Sequence, residues 1–226
     1  MKPRKFVVLD IETAPISDAL LSMTIPQFNS EDVKTGNLVD PAKIAAKLSE
    51  AKADHFDSYK RSAALSAMTG SVIAVGIDAG TPKCLLDASE PAMLAFVWET
   101  IQNAVLTERC EIVGWNITNF DLPYLCRRSY RHKISPPSWL RDGRYWHNSI
   151  VDLLDVWRMG EPRQVEGQKR ISYSLDNVAR FLGLEGKNGS GKDFAALLET
   201  DRAAAESYLL RDLDQTKKIA QILLPP

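Results

Sequence analysis

Three short acidic motifs, far apart in the 226-residue chain, hold the residue types best suited to chemistry. They are Asp10-Ile11-Glu12, then Gly114-Trp115-Asn116-Ile117-Thr118-Asn119-Phe120-Asp121, then Tyr208-Leu209-Leu210-Arg211-Asp212. Asp10 and Glu12 are two apart, so an extended strand points both side chains to one face. Tyr208 and Asp212 are four apart, so a helix stacks them on one face within mutual reach. Gathered at one place, the carboxylates of Asp10, Glu12, Asp121 and Asp212 call for a cationic partner. All-oxygen ligands without histidine or cysteine favour Mg²⁺ or Mn²⁺ over zinc, and a pair of such ions suits in-line displacement at phosphorus. Phosphodiester hydrolysis is the reaction class this donor set predicts. An isolated Asp-x-Glu is usually an ordinary strand end, and an isolated tyrosine a core aromatic; the weight lies in the set.

The elements that must position these residues are legible in the hydrophobic pattern. Lys5 to Leu9 predicts a buried strand that delivers Asp10 at its C-terminal end. Ser71 to Asp78 and Lys83 to Leu86, joined through Gly80-Thr81-Pro82, predict two more strands, so the first three suggest an antiparallel meander. Met93, Phe96, Val97, Ile101 and Val105 repeat at helical spacing after Glu90-Pro91, and Cys110 to Gly114 returns as a strand. That crossover leaves Asp121 just past a strand end, where open α/β sheets collect ligands. A helix from Phe120 or Leu122 to about His132, a strand over Ile150 to Val156 and a helix from Ser174 to Gly183 follow. A long helix from about Asp201 to Leu223 carries Tyr208 and Asp212. The fold class is α/β, a mixed sheet flanked by helices.

Length and an apolar content of 45% suit a single domain over residues 1–226. A polar, largely helical insertion is expected at about 15–68, with Asp40 capping a helix that opens on Pro41 and an interrupted stripe of Ile44, Leu48, Phe56, Tyr59 and Leu65. Such a connection suits a substrate clamp, a partner surface or a stabilising arm. The apolar run Phe6 to Leu9 is too short for a signal peptide or membrane span, so a soluble, intracellular, cytoplasmic protein is expected. Cys84, Cys110 and Cys126 have no paired spacing and read as reduced fillers. Charge is uneven: residues 127–192 hold 13 Lys/Arg and 7 Asp/Glu, net +6, against a chain total of −1. A basic stretch beside an acidic metal site suits an anionic polymer, with solvated helix faces as the alternative.

In order and spacing the three motifs resemble those of the DEDD superfamily of 3′-to-5′ exonucleases, in the tyrosine subclass, DEDDy. Gly114 to Leu125, with Asn116, Phe120, Asp121 and Leu122-Pro123-Tyr124-Leu125, is similar to the proofreading exonuclease domain of family B DNA polymerases. The resemblance implies an RNase H-like (DnaQ-like exonuclease) fold with a mixed five-stranded sheet, and a stand-alone nuclease whose insertion is similar to phage-type members. It implies Asp10, Glu12, Asp121 and Asp212 as ligands of two Mg²⁺ or Mn²⁺ ions, and Tyr208 as the residue that orients or helps deprotonate the attacking water. Asn116 and Phe120 match positions that contact the terminal nucleotides, and Thr13 can meet the 3′-hydroxyl. The implied activity is release of nucleoside 5′-monophosphates from the 3′ end of single-stranded nucleic acid, DNA before RNA. An RNA-trimming enzyme and a non-catalytic single-strand or partner-binding module remain as alternatives, and replication or repair proteins as possible partners.

Two further signals stand outside these motifs. Gly186 to Asp193 has P-loop spacing until Asp193 takes the Ser/Thr position, and it follows a helix rather than a strand. It reads as a linker, with Lys187 or Lys192 available to phosphates. Trp139, Arg141, Arg144, Tyr145, Trp146 and His147 interleave aromatic and basic groups, a composition suited either to single-strand contact or to loop packing. Asp152 and Asp155 are candidate outer carboxylates, left outside the catalytic set.

Overall fold

The computed structural model describes residues 4–86, 88–161, 173–185 and 194–225. The chain divides into two compact units, Met1–Glu12 with Val72–Pro226, and Thr13–Ser71. The described strands are β1 (Phe6–Pro15), β2 (Gly70–Asp78), β3 (Pro82–Leu86), β4 (Glu111–Gly114), β5 (Arg141–Asp142), β6 (Tyr145–Trp146) and β7 (Ile150–Asp152). The described helices are α1 (Asp18–Thr24), α2 (Pro41–Ala53), α3 (His55–Ala63), α4 (Glu90–Leu106), α5 (Asp121–Arg131), α6 (Leu153–Arg158), α7 (Leu175–Phe181), α8 (Phe194–Thr200) and α9 (Arg202–Leu223). Five strands form one sheet in the order β3-β2-β1-β4-β7, and β5 and β6 make a separate hairpin. β1 runs parallel to β4 with Val8 opposite Val113, and β4 parallel to β7 with Gly114 opposite Asp152. β3 is antiparallel to β2, so the sheet is mixed, as the pattern predicts.

One sheet face is built for α9. Val8 and Val113 share a core cluster with Leu213, Ile219 and Ala220 of α9 and with Leu153 and Ala179. Ala74 and Leu86 share another with Phe194, Ala205, Tyr208 and Leu209. Burial at Ala205, Leu209, Leu213, Thr216 and Ala220 follows the i, i+3/i+4 stripe of a helix lying on a sheet. Gly76 in β2 permits the approach, because a Cβ there would stand 2.8 Å from Cγ of Leu209 and 3.1 Å from Cδ1 of Leu213. Since strand side chains alternate, Asp10 and Glu12 project to the same face as Val8, toward α9.

Two elements differ from the sequence expectation. β1 continues past Leu9 to Pro15, so Asp10 and Glu12 lie within the strand rather than at its end; buried Ile11 keeps the alternation going. The strand predicted over Ile150 to Val156 stops at Asp152, whose carboxylate accepts the N–H of Leu154 at 3.0 Å and starts α6. A local cap overrides an apolar run.

Within Thr13–Ser71, Asp40 caps α2 by accepting the N–H of Ala42 at 2.9 Å, with Pro41 first in the helix, as expected. Tyr59 donates to the carbonyl of Thr24 at 3.2 Å and Lys60 pairs with Asp18 at 2.7 Å, joining α3 to α1. No residue of α2 is fully buried, and Leu65 is exposed rather than part of an apolar stripe. All three cysteines are free thiols. Among the described residues no helix is long and apolar enough to cross a membrane. The Gly-rich run 186–193 lies outside the described residues.

Candidate active site

Asp10 and Glu12 of β1 meet Asp212 of α9, and their nearest carboxylate oxygens all lie within 4.8 Å of one another. The set is three hard oxygen donors, a spacing and chemistry that fit a divalent cation such as Mg²⁺ or Mn²⁺. Asp212 is only 4% exposed and Tyr208, one turn before it, 6%. The Tyr208 hydroxyl hydrogen-bonds the Asp212 side chain. Burial first, then the charges of Asp212, Glu12 and Asp10, push the Tyr208 phenol well above its ordinary value. The phenol therefore keeps its proton and donates it to Asp212.

Asp121 stands beside this trio rather than within it. It opens α5, is 4% exposed, and accepts the N–H of Ile11 at 3.2 Å, the residue between Asp10 and Glu12. Burial, and next the charge of Asp10, hold its carboxyl well above the usual range. A carboxylate desolvated against another is the electrostatic state that a bound cation relieves. The same negative field reaches Cys84 on β3, whose thiol is pushed up to about 11 by burial, with Glu206 and Asp10 adding to it.

The second motif is a tight turn. Gly114 ends β4 where a Cβ would come 3.0 Å from the carbonyl of Leu9, so glycine allows the close passage toward β1. Asn116 takes a left-handed conformation, φ +63°, which asparagine tolerates better than most side chains. Its carbonyl accepts the N–H groups of Asn119 and Phe120, at 3.1 and 3.0 Å, and its side-chain oxygen accepts from Asn119 at 3.3 Å. Phe120 packs its ring 5.5 Å from that of Tyr124. Thr13, one residue past Glu12 in β1, donates its hydroxyl to the carbonyl of Ala64 at 2.9 Å.

The basic and aromatic segment forms the β5–β6 hairpin. Arg141 lies over the Trp146 ring at 4.9 Å and Arg144 over Tyr145 at 4.8 Å. The Trp146 indole donates to the carbonyl of Thr118 at 3.2 Å, so the hairpin is tied to the second motif. Asp152, left outside the catalytic set by the sequence reading, holds that same motif from the other side. The sequence signal for it is an acid set in an apolar run, Ile150-Val151-Asp152-Leu153-Leu154; that its strand pairs with the one bearing the motif is seen only in the sheet.

The fold is α/β, a mixed five-stranded sheet flanked by helices of the RNase H-like kind, with three clustered acids where β1 faces α9. Residues 84–209 match the family described as "Predicted 3′-5′ exonuclease related to the exonuclease domain of PolB". That is more than half of the chain, and the chain belongs to this family. The matched span holds the second motif and Tyr208, while Asp10, Glu12 and Asp212 fall outside it. No curated protein matches the chain. Among solved structures the fold is similar to the family B DNA polymerase from the hyperthermophilic archaeon Pyrobaculum calidifontis. The TM-score is 0.56 at 16% identity, over 99% of this chain and 25% of that one. The chain thus spans about a quarter of that polymerase's length.

Proposed function

We propose that the protein is a 3′-to-5′ exonuclease of the tyrosine subclass, removing nucleoside 5′-monophosphates from the 3′ end of single-stranded DNA. The observation that carries this reading is the trio Asp10, Glu12 and Asp212, within 4.8 Å, with Tyr208 hydrogen-bonded to Asp212. Asp10, Glu12, Asp121 and Asp212 would hold two Mg²⁺ or Mn²⁺ ions. When bound, such ions polarise the scissile phosphoryl group, acidify the attacking water and stabilise the leaving 3′-oxygen. Tyr208 spends its proton on Asp212, which leaves its oxygen lone pairs to accept from that water and aim it at phosphorus. Asn116 and Phe120 meet the terminal nucleotide, the ring offering a stacking face, and Thr13 offers its backbone to the 3′-hydroxyl. The exposed arginines of the β5–β6 hairpin suit the phosphates upstream. We read the whole chain as one exonuclease domain in which the unit 13–71 is an insertion, acting on DNA ends alongside replication or repair proteins.

Digestion of 5′- and 3′-labelled single-stranded and duplex DNA and RNA with Mg²⁺ or Mn²⁺ tests the reading. Stepwise shortening of 5′-labelled single-stranded DNA with release of mononucleotides is expected. Preferential trimming of RNA would reassign the substrate, and tight binding without shortening would reduce the protein to a binding module.

A further inference from the structure

Asp152 terminates β7 opposite Gly114 of β4 and is 6% exposed. Its Oδ1 accepts the N–H of Asn116 and the N–H of Leu154, each at 3.0 Å. Its Oδ2 accepts the N–H of Thr118 at 3.1 Å and the Thr118 hydroxyl at 2.6 Å, with the side-chain amide of Asn119 at 3.4 Å. A helix cap accounts for one bond only, that to Leu154. Oδ2 makes no bond to α6 and is given wholly to the second motif.

We propose that Asp152 is the positioning residue of the site: its carboxylate pins the turn 116–119 and so sets where Asn116 and Asp121 stand relative to Asp10 and Glu12. Asn116 can take the left-handed conformation without glycine, but only its surroundings decide that it does so here, and the Asp152 bonds to the N–H groups of Asn116 and Thr118 are what fix the turn. From that turn the chain passes directly into α5. The Asn116 carbonyl takes the N–H of Phe120, and the Ile117 carbonyl takes that of Leu122 at 3.0 Å, on either side of Asp121. A displaced Asn116 therefore carries Asp121 with it. The groups bonded to Asp152 from the turn and from α6 are all donors, and the charge it meets is that of Asp121, so an acceptor at both oxygens is required. Asparagine of the same shape must turn its NH₂ toward the Thr118 N–H or toward those of Asn116 and Leu154, and orphan them.

The consequence for turnover rests on the exonuclease reading; the consequence for the turn does not. Asp152→Asn should lower kcat on single-stranded DNA by about 10- to 100-fold, a larger change than any in KM, as misplacement of a reacting constellation does. Its Mn²⁺ affinity, titrated calorimetrically, should fall about tenfold or more. Amide hydrogens of residues 116–122 should exchange faster while those of α9 keep wild-type protection. Wild-type exchange over 116–122 together with wild-type Mn²⁺ affinity would overturn the proposal, as would loss of protection confined to α6. If Asp152→Asn does not fold, Thr118→Val, which removes only the hydroxyl, carries the same test with smaller shifts in the same direction, and a wild-type result there overturns it. A wild-type protein that binds Mn²⁺ but cuts nothing would sink the exonuclease reading and leave the exchange and Mn²⁺ measurements to decide on Asp152.

Discussion

Asp121 and Asp152 are buried almost equally, at 4% and 6%, and their surroundings are opposite. Asp152 is ringed by hydrogen-bond donors of the turn and of α6. Asp121 accepts the N–H of Ile11 but faces the charges of Asp10 and Asp152, and its carboxyl is driven upward. Glu90 sides with Asp152. Burial pushes its carboxyl up, but hydrogen bonds from Arg128 at 2.6 Å, the Val72 N–H at 2.8 Å and His132 hold it below its ordinary value. A buried acid whose charge the fold meets serves shape. One crowded by like charge is destabilised as long as nothing meets its charge, the state that a bound cation would relieve.

The sharpest way to break this contrast is to delete acids of each kind. Asp10→Ala should cut hydrolysis by at least about 10²-fold, as loss of a central electrostatic element does, with thermal unfolding no lower than wild type, and Asp212→Ala should cut it as far while leaving the Tyr208 hydroxyl without its acceptor. Retained Mg²⁺-dependent cleavage by either variant would remove it from the site. Glu90→Gln should do the reverse, losing about 3–5 kcal/mol in urea unfolding by stranding Arg128, while each folded molecule keeps its turnover.

Acidity separates the two kinds further. With a folded pKa below its ordinary 4.5, Glu90 contributes stability that is full above 4.5 and lost as pH falls through the folded value. With a folded pKa above its ordinary 3.8, Asp121 destabilises the metal-free protein at neutral pH, and that penalty fades as the pH falls through the folded value. Asp121→Asn keeps an oxygen for the Ile11 N–H, so it should raise the metal-free melting temperature by roughly 2–4 °C, the equivalent of about 1 kcal/mol at this size. A lowered melting temperature would show that the fold itself meets the charge of Asp121. The smallest expected effect is at the hairpin. Arg141→Ala with Arg144→Ala should weaken single-strand binding and reduce the log–log salt slope by about 1 to 2, leaving kcat unchanged; an unaltered slope would return the hairpin to a packing role.

Much of the architecture is legible in the pattern of apolar residues. Met93, Val97 and Ile101 mark α4, Ser174 caps α7 and Asp201 caps α9, because periodicity and capping are local physics. The same locality explains the misreading at Ile150 to Val156. Seven residues that look like a strand carry an aspartate whose best partners, Asn116 and Thr118, are more than 30 positions away. The sequence alone also allows the hairpin arginines to be solvated loop residues; the bond from Trp146 to Thr118 is invisible at that level.

By itself the sequence determined the acid inventory, the two-residue and four-residue spacings that put Asp10 with Glu12 and Tyr208 with Asp212, and the strands and helices that bear them. Those follow from the repeat of a strand and of a helix turn. Only the tertiary structure decided that the pairs meet across Gly76 and the face of the sheet, that Asp121 stands beside the trio rather than in it, and that Asp152 is satisfied by donors. Burial, approach distance and the charge of distant neighbours set those outcomes, and none of the three is a property of the chain until β1, β4, β7 and α9 have packed.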